Sequence, residues 1–308
     1  MIPKDVALQG NRSLAVMQAL AGRLMNAEIG DRFERMSDLQ TEFGVGAGTI
    51  QSAIKGIEML GGAALRRSGH QGSFIEALNL RQLWAMANRS PLVGAFPSFS
   101  APEMRAARSL LRSRFAGSGI PMNSYEQSGA GMRIQAVVDK TADFTVISNG
   151  VVSRISDEKM AGLETFGFDD GSYYRDGSVV VLCRAGSDPY ATASACRTGI
   201  DPESSDHYHM SLAEFGDLST SESTGCHYLD IPKLIITGEI DRAVWHQIDS
   251  LVPLELVGLV TAPLRKPETQ HLLRSCSRMV LVARAEDRFI STIGTEKAVA
   301  KPTDDKSS

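Results

Sequence analysis

The stretch "GVGAGTIQSAIKGIEMLGG", Gly44 to Gly62, decides how the N-terminal part of the chain is read. Gly44, Gly46 and Gly48 could let backbone N–H groups close around a pyrophosphate. The same letters could be the turn and second helix of a helix-turn-helix. A phosphate loop needs a buried strand in front of it. The preceding "RMSDLQTEF" is instead polar, with Leu39 and Phe43 four apart on one helical face. Ser37 and Gln40 form a capping-box pattern, so the spacing predicts a short helix that starts there and ends at Gly44. Beyond the glycines, Ile50, Ala53, Ile54, Ile57 and Leu60 share one helical face, opposite Thr49, Gln51, Ser52 and Lys55. No lysine stands directly after the glycines, as a P-loop requires. Two short helices about a glycine turn, the second with a polar outer face, describe a helix-turn-helix.

The flanks extend the unit. Leu14, Val16, Met17, Leu20, Leu24 and Met25 form a helical apolar stripe ended by Gly30. Downstream, "AALRRSGHQGSFI" reads as a two-stranded hairpin with Gly69 and Gly72 at its tip, the wing of a winged domain. Arg66, Arg67 and His70 on that hairpin suit phosphate or minor-groove contact. The outer helix face and the wing together predict a DNA-binding set of Thr49, Gln51, Ser52, Lys55, Arg66, Arg67 and His70. The 308 residues carry 32 Lys and Arg against 36 Asp and Glu, a net charge of −4. That balance excludes a uniformly basic nucleic-acid binder and leaves room for a small DNA-binding module on an acidic partner domain.

From Gly30 to Ile75 the chain resembles the winged helix-turn-helix of the GntR family of bacterial transcription regulators. Gly30-Asp31, Leu39, Phe43-Gly44-Val45, Thr49-Ile50, Ala53-Ile54, the helix-end glycines and the Gly69-x-x-Gly72-Ser73-Phe74-Ile75 wing follow that pattern in order. Two departures matter. Glu34-Arg35-Met36 stands where the family usually has Pro-Ser-Glu, and Ala47 and Gln51 stand where it often has DNA-contacting arginines. Lys55, Arg66 and Arg67 against Glu58 then remain as the charged groups of helix and wing, so useful affinity requires two heads on one site. A winged fold kept only for protein contact is the plain alternative.

Residues 76 to 90 read as a linker helix with Ala77, Leu80, Trp84 and Ala87 on one stripe, suited to core or dimer contact. "PLVGAFPSFS" opens the second domain with a short buried strand. A helix through Met104, Ala107, Leu110, Leu111 and Phe115 follows, then a strand near "PMNSYEQ". Next come the loop Ser128-Gly129-Ala130-Gly131, a helix with Met132, Ile134, Val137 and Val138, and the strand "DFTVIS". This βαβαβ order predicts a parallel sheet with right-handed crossovers and ligand chemistry at the carboxyl ends of its strands. The order is similar to the type II periplasmic-binding-protein fold, as used for effector sensing in LysR-type regulators. Head, second domain and overall length together resemble the YhfZ family of bacterial regulators.

The expected class is therefore α/β: an N-terminal winged helix-turn-helix over 1–76, a linker helix over 77–90, a bilobed effector-binding domain over 91–295, and a disordered tail over 296–308. The resemblance implies a cleft between two lobes. Ser98 and Ser100 after the first strand, Ser128 and Gly129 after the second, Ser148 and Asn149 after the third, and Ser204 and Ser205 before a second-lobe helix are its candidate effector contacts. Each serine could be only an N-cap. A carboxylate- or phosphate-bearing metabolite is the expected effector, with operator DNA and a second copy of the chain as the other partners.

No cofactor, metal or catalytic residue is expected. Asp206-His207-Tyr208-His209 and Cys226-His227 hold metal-ligating types without a spacing that shows convergence. No G-x-S-x-G, H-E-x-x-H or P-loop occurs. A rival reading makes the bilobed domain a cytoplasmic enzyme or small-molecule binder, with His207 or His209 as its acid or base. Cys183, Cys196, Cys226 and Cys276 lack a C-x-x-C pair, which suits a reducing compartment. The start is neither signal peptide nor membrane span, so the expected location is cytoplasmic.

Overall fold

The computed structural model describes residues 4–192, 196–216 and 223–295, with side chains from residue 12 onward. The expected tail over 296–308 lies outside the described residues. The chain forms two compact units. One holds Met1–Leu92 with Ser113–Met122 and Glu286–Ile293, and the other holds Val93–Arg112 and Asn123–Ala285 with the C-terminal residues.

In the first unit, α1 (Lys4–Leu24) packs on α3 (Ala47–Met59) and on α4 (Leu80–Ala87). Its stripe buries Val16, Leu20 and Leu24, while Leu14 stays exposed. The helix α2 (Met36–Phe43) starts one residue before Ser37. No side chain caps it, and the Ser37 hydroxyl donates to the Asp38 carboxylate rather than accepting from a backbone N–H of the first turn. The capping box is therefore not used. Gly44 ends α2 at φ 61°, the left-handed conformation that glycine adopts without Cβ strain. Ile50, Ala53, Ile54 and Ile57 of α3 are buried, as the periodicity predicts. Leu60 is exposed because the helix stops at Met59 and Leu60 turns away as its cap.

The wing is the antiparallel pair β1 (Ala63–Arg67) and β2 (Ser73–Leu78), closed by a single 3-10 turn at Gly69–Gln71 and bulged between Ala64 and Leu65. Arg32 bridges to Phe74, which brings a third strand-like segment onto the wing. Of the expected stripe Ala77, Leu80, Trp84 and Ala87, only Trp84 is buried: Ala77 is exposed on β2, and α4 buries Leu83 and Met86 beside Trp84 instead. Trp84 meets Phe289 of α12 (Arg288–Thr295) at 6.0 Å between ring centroids. A C-terminal helix thus belongs to the same unit as the head, a long-range pairing that local periodicity does not reveal.

The second unit holds two five-stranded sheets, one per lobe. The first has the order β4 (Met122–Glu126), β3 (Leu92–Phe96), β5 (Phe144–Ser148), β12 (Met279–Arg284), β6 (Leu163–Gly167). The helix α5 (Pro102–Gly117) leads from β3 to β4, α6 (Ala130–Val138) packs on β5 and β12, α7 (Asn149–Arg154) on β5, and α8 (Asp157–Met160) on α6. Strands β3 and β5 run parallel, but β12 is antiparallel to β5 and β6, so the sheet is mixed rather than wholly parallel. The cause is topological: the chain leaves for the second lobe after β6 and returns as β12 from the opposite end.

That second lobe has the order β11 (Leu259–Pro263), β7 (Val179–Arg184), β10 (Arg242–His246), β8 (Thr198–Ile200), β9 (Ser223–Gly225). Its helices are α9 (Ser205–Phe215), α10 (Ile231–Thr237) and α11 (Pro267–Ser275). Leu182, Ile235, Ile240, Ala243 and Trp245 form its core. Gly94 is held to glycine by packing, since a Cβ there would sit 2.5 Å from the Phe144 ring. Among the described residues, no helix is long and apolar enough to cross a membrane.

Candidate functional site

On the head, Gln51, Ser52 and Lys55 lie exposed on the outer face of α3, while Thr49 is half-buried at its first turn. Arg66, Arg67 and His70 are exposed on the wing. Arg66 stacks over Phe74 at 5.5 Å and donates to Ser68 at 2.9 Å. Arg67 pairs with Glu58 of α3 at 3.0 Å, tying wing to helix. Between them runs a groove of about 910 Å³ lined also by Arg32 and Arg35.

In the second unit, a cleft of about 60 Å³ lies between the lobes. The first lobe supplies Ser98, Ser128, Gly129 and Arg133, and the second supplies Ser204, Ser205, His207 and Tyr228. Of the eight residues expected there, Ser98, Ser128, Gly129, Ser204 and Ser205 line it. Ser100 sits behind Ser98, which accepts from its N–H at 3.2 Å. The buried Ser148 hydroxyl caps α7 by accepting from Val151 N–H at 3.1 Å. The Asn149 side chain accepts from Arg278 N–H at 3.0 Å. These last three stand outside the lining.

The lobes are laced together across the cleft. His227 Nδ1 accepts from Leu229 N–H at 3.3 Å, so its other nitrogen carries the proton and donates to Ser128 at 2.7 Å. Arg154 donates to Ser205 at 3.0 Å and pairs with buried Asp206, which also accepts from Cys276 at 3.3 Å. Asp201 accepts from the N–H groups of Glu203, Ser204 and Tyr228. Glu103 is held by Arg175 at 2.8 Å, with His246 at 3.3 Å. Burial pushes the Glu103 carboxyl up, but His246 and Arg175 outweigh that and hold it down at about 2.

Among the buried side chains that line the cleft, Arg133, His207 and His246 keep ring or guanidinium nitrogens without a hydrogen-bond partner. Arg133, 3% exposed, donates to the Gln127 carbonyl at 2.9 Å and to the Tyr173 hydroxyl at 3.5 Å, and its Nε has no partner. No carboxylate within 4.0 Å of it is found among the described residues. His207, also 3% exposed, has no partner at either ring nitrogen and packs among Tyr174, Tyr228 and the other cleft aromatics. Burial, and next the His246 ring, push its pKa down to about 4, so it is neutral near pH 7. Sequence reasoning passed over Arg133, although Ala136 and Val137 three and four residues on place it on the buried face of α6.

His207 and His209 are two apart on α9, about 200° around the helix, so they cannot share a ligand from one face. His209 is outside the cleft lining. Among the described residues, no cluster of His, Cys, Asp and Glu is arranged to hold a metal ion. The four cysteines are free. Burial, then Asp206, raise the Cys276 thiol to about 12, far from a reactive thiolate at neutral pH.

A helix-turn-helix head joined to a two-lobed α/β domain fits a DNA-binding regulator. Residues 79–301 match the YhfZ C-terminal domain and residues 28–75 a helix-turn-helix domain. The chain belongs to the YhfZ family. It is 25% identical over 272 residues to the uncharacterized protein YhfZ of Escherichia coli K12, covering 88% of this chain and 86% of that one. The crystal structure of YhfZ from Shigella flexneri matches with a TM-score of 0.49 at 22% identity, over 70% of this chain and 86% of that chain. Full-length OxyR from Pseudomonas aeruginosa matches with a TM-score of 0.44 at 13% identity, over 96% and 98%.

Proposed function

We propose that this protein is a cytoplasmic, dimeric transcription regulator with a GntR-like reading head, which senses a small anion in its interlobe cleft and is not an enzyme. The observation that carries the ligand class is Arg133. A buried guanidinium with only neutral partners is costly, and an incoming carboxylate or phosphate supplies the missing counter-charge. Ser98, Ser128, Gly129, Ser204 and Ser205 add small polar contacts around it, while Ser100 donates its N–H to Ser98 behind the lining and Ser148 and Asn149 stand outside it.

On the head, Thr49, Gln51, Ser52 and Lys55 face the major groove and Arg66, Arg67 and His70 meet the flanking backbone or minor groove. Ligand stabilises one lobe arrangement over another, and only that difference in affinity shifts the placement of the two heads on operator half-sites.

The test has two arms. Acetate, succinate and inorganic phosphate are titrated while the melting temperature is followed. At least one is expected to raise it with the logarithm of its concentration, and Arg133→Met to abolish the rise. No response to any of the three overturns the anion assignment. Duplex DNA from upstream of the protein's own gene is then titrated across salt concentrations, and absence of a specific, salt-dependent complex overturns the regulator reading.

A further inference from the structure

The head groove carries more positive charge than its helix and wing suggest by themselves. Four cations line it: Arg32, Arg35, Lys55 and Arg67. Its two carboxylates are already occupied, Glu34 by Arg23 at 2.7 Å and Glu58 by Arg67 at 3.0 Å. Arg32, Arg35 and Lys55 are exposed and have no carboxylate within 4.0 Å among the described residues. Backbone geometry fixes where two of them stand. Phe33 N–H donates to Ser73 at 2.8 Å and Arg32 bridges to Phe74, so the segment before α2 is stitched to the wing. There the Arg32 guanidinium lies over Gly72, 3.1 Å from where a Cβ would be. Arg35 is the extended residue at the start of α2, at φ −71° and ψ 143°.

Meanwhile α3 opens with Ala47, a bare methyl, and Gly48, which has no side chain, so neither offers a hydrogen-bonding group and Gln51, one turn on, is the first long polar side chain of that helix. We infer that the groove between α3 and the wing seats a sugar-phosphate strand of duplex DNA on Arg32, Arg35 and Lys55, so this head holds DNA chiefly by its backbone. The inference rests on the DNA-binding reading above and adds two cations that lie outside both recognition helix and wing. They replace charge that Ala47 and Gln51 do not supply, and base discrimination falls to Gln51, a side chain matched to adenine.

The experiment is anisotropy of a labelled mixed-sequence duplex of roughly 30 bp, about three helical turns, titrated with the full-length chain between about 50 and 200 mM salt. Each phosphate contact contributes about 0.9 to the slope of log affinity against log salt. Arg32→Ala and Arg35→Ala are each expected to flatten that slope by about 0.9, roughly a 3.5-fold smaller loss of affinity over the range. Arg32→Lys and Arg35→Lys are expected to restore it, which separates lost charge from a damaged fold. Wild-type slope in both alanine variants, with flattening in Lys55→Ala or Arg67→Ala, overturns the inference and leaves the DNA reading standing. Tighter binding to the single strand than to the duplex also overturns it. No salt-dependent binding by the wild-type chain removes the DNA reading itself.

Discussion

The interlobe cleft and the head groove both hold several charged side chains and treat them in opposite ways. In the cleft, Asp201 and Asp206 are each enclosed by donors. In the groove, Arg32, Arg35 and Lys55 face solvent without carboxylate partners among the described residues. Burial forces pairing, because a charge removed from water must recover its solvation from neighbours. An exposed charge has no such need and stays available to a polyanion. By that rule Arg133 is the charged exception inside the cleft, the one whose counter-charge the proposed anion would supply.

The largest expected effect tests the paired side. Asp206 is 3% exposed and takes Arg154, Cys276 and Tyr174 as donors. Asp206→Ala strips all three and should cost about 3–5 kcal/mol in urea unfolding. Lys55→Ala on the exposed groove should stay within about 0.5 kcal/mol. If the two losses are similar, the contrast between cleft and groove fails.

Next comes pH. His207 is held neutral by burial, and the groups that face it are His246 on β10, Asp201 after β8, Asp206 on its own helix, and His227. Its folded pKa, about 4, lies below the ordinary value, so the unfolded chain takes up its proton first. Stability is complete above the unfolded pKa near 6.5 and is lost as pH falls toward 4. Glu103, held at about 2, contributes above its unfolded pKa and loses that contribution as pH falls from about 4.5 toward 2. Urea midpoints measured against pH should therefore fall in two windows. His207→Gln should flatten the upper one and leave the lower. An unchanged upper window would place that titration on another group.

Much of this was legible from local periodicity. Ile50, Ala53, Ile54 and Ile57 identify α3, and the glycines mark the wing, because both patterns are set by near neighbours. The serines before helices were legible only as a class. Ser148 caps its helix while Ser98 lines the cleft, and a hydroxyl before a helix serves either purpose with the same letters. Arg133 escaped because an arginine in an amphipathic stripe reads as solvated until tertiary packing closes over it. The antiparallel β12, the Phe289 contact of Trp84 and the Arg32 bridge to Phe74 join residues far apart in sequence, where no local signal reaches.

The smallest expected effect is the sharpest test of the open side. Glu58 and Arg67 pair at 3.0 Å with the Arg67 side chain 71% exposed, so the bond itself adds little to stability. Glu58→Gln should leave the urea midpoint within about 0.5 kcal/mol of wild type. It removes a carboxylate from the groove and frees Arg67 for a phosphate, so the salt slope should steepen by up to about 0.9 and affinity at low salt should rise. Weaker binding would mean that the pair positions Arg67 rather than competing for it. The groove would then be a preorganised surface with one ion pair built in, and the separation between occupied and available charge would run through the head rather than between head and cleft.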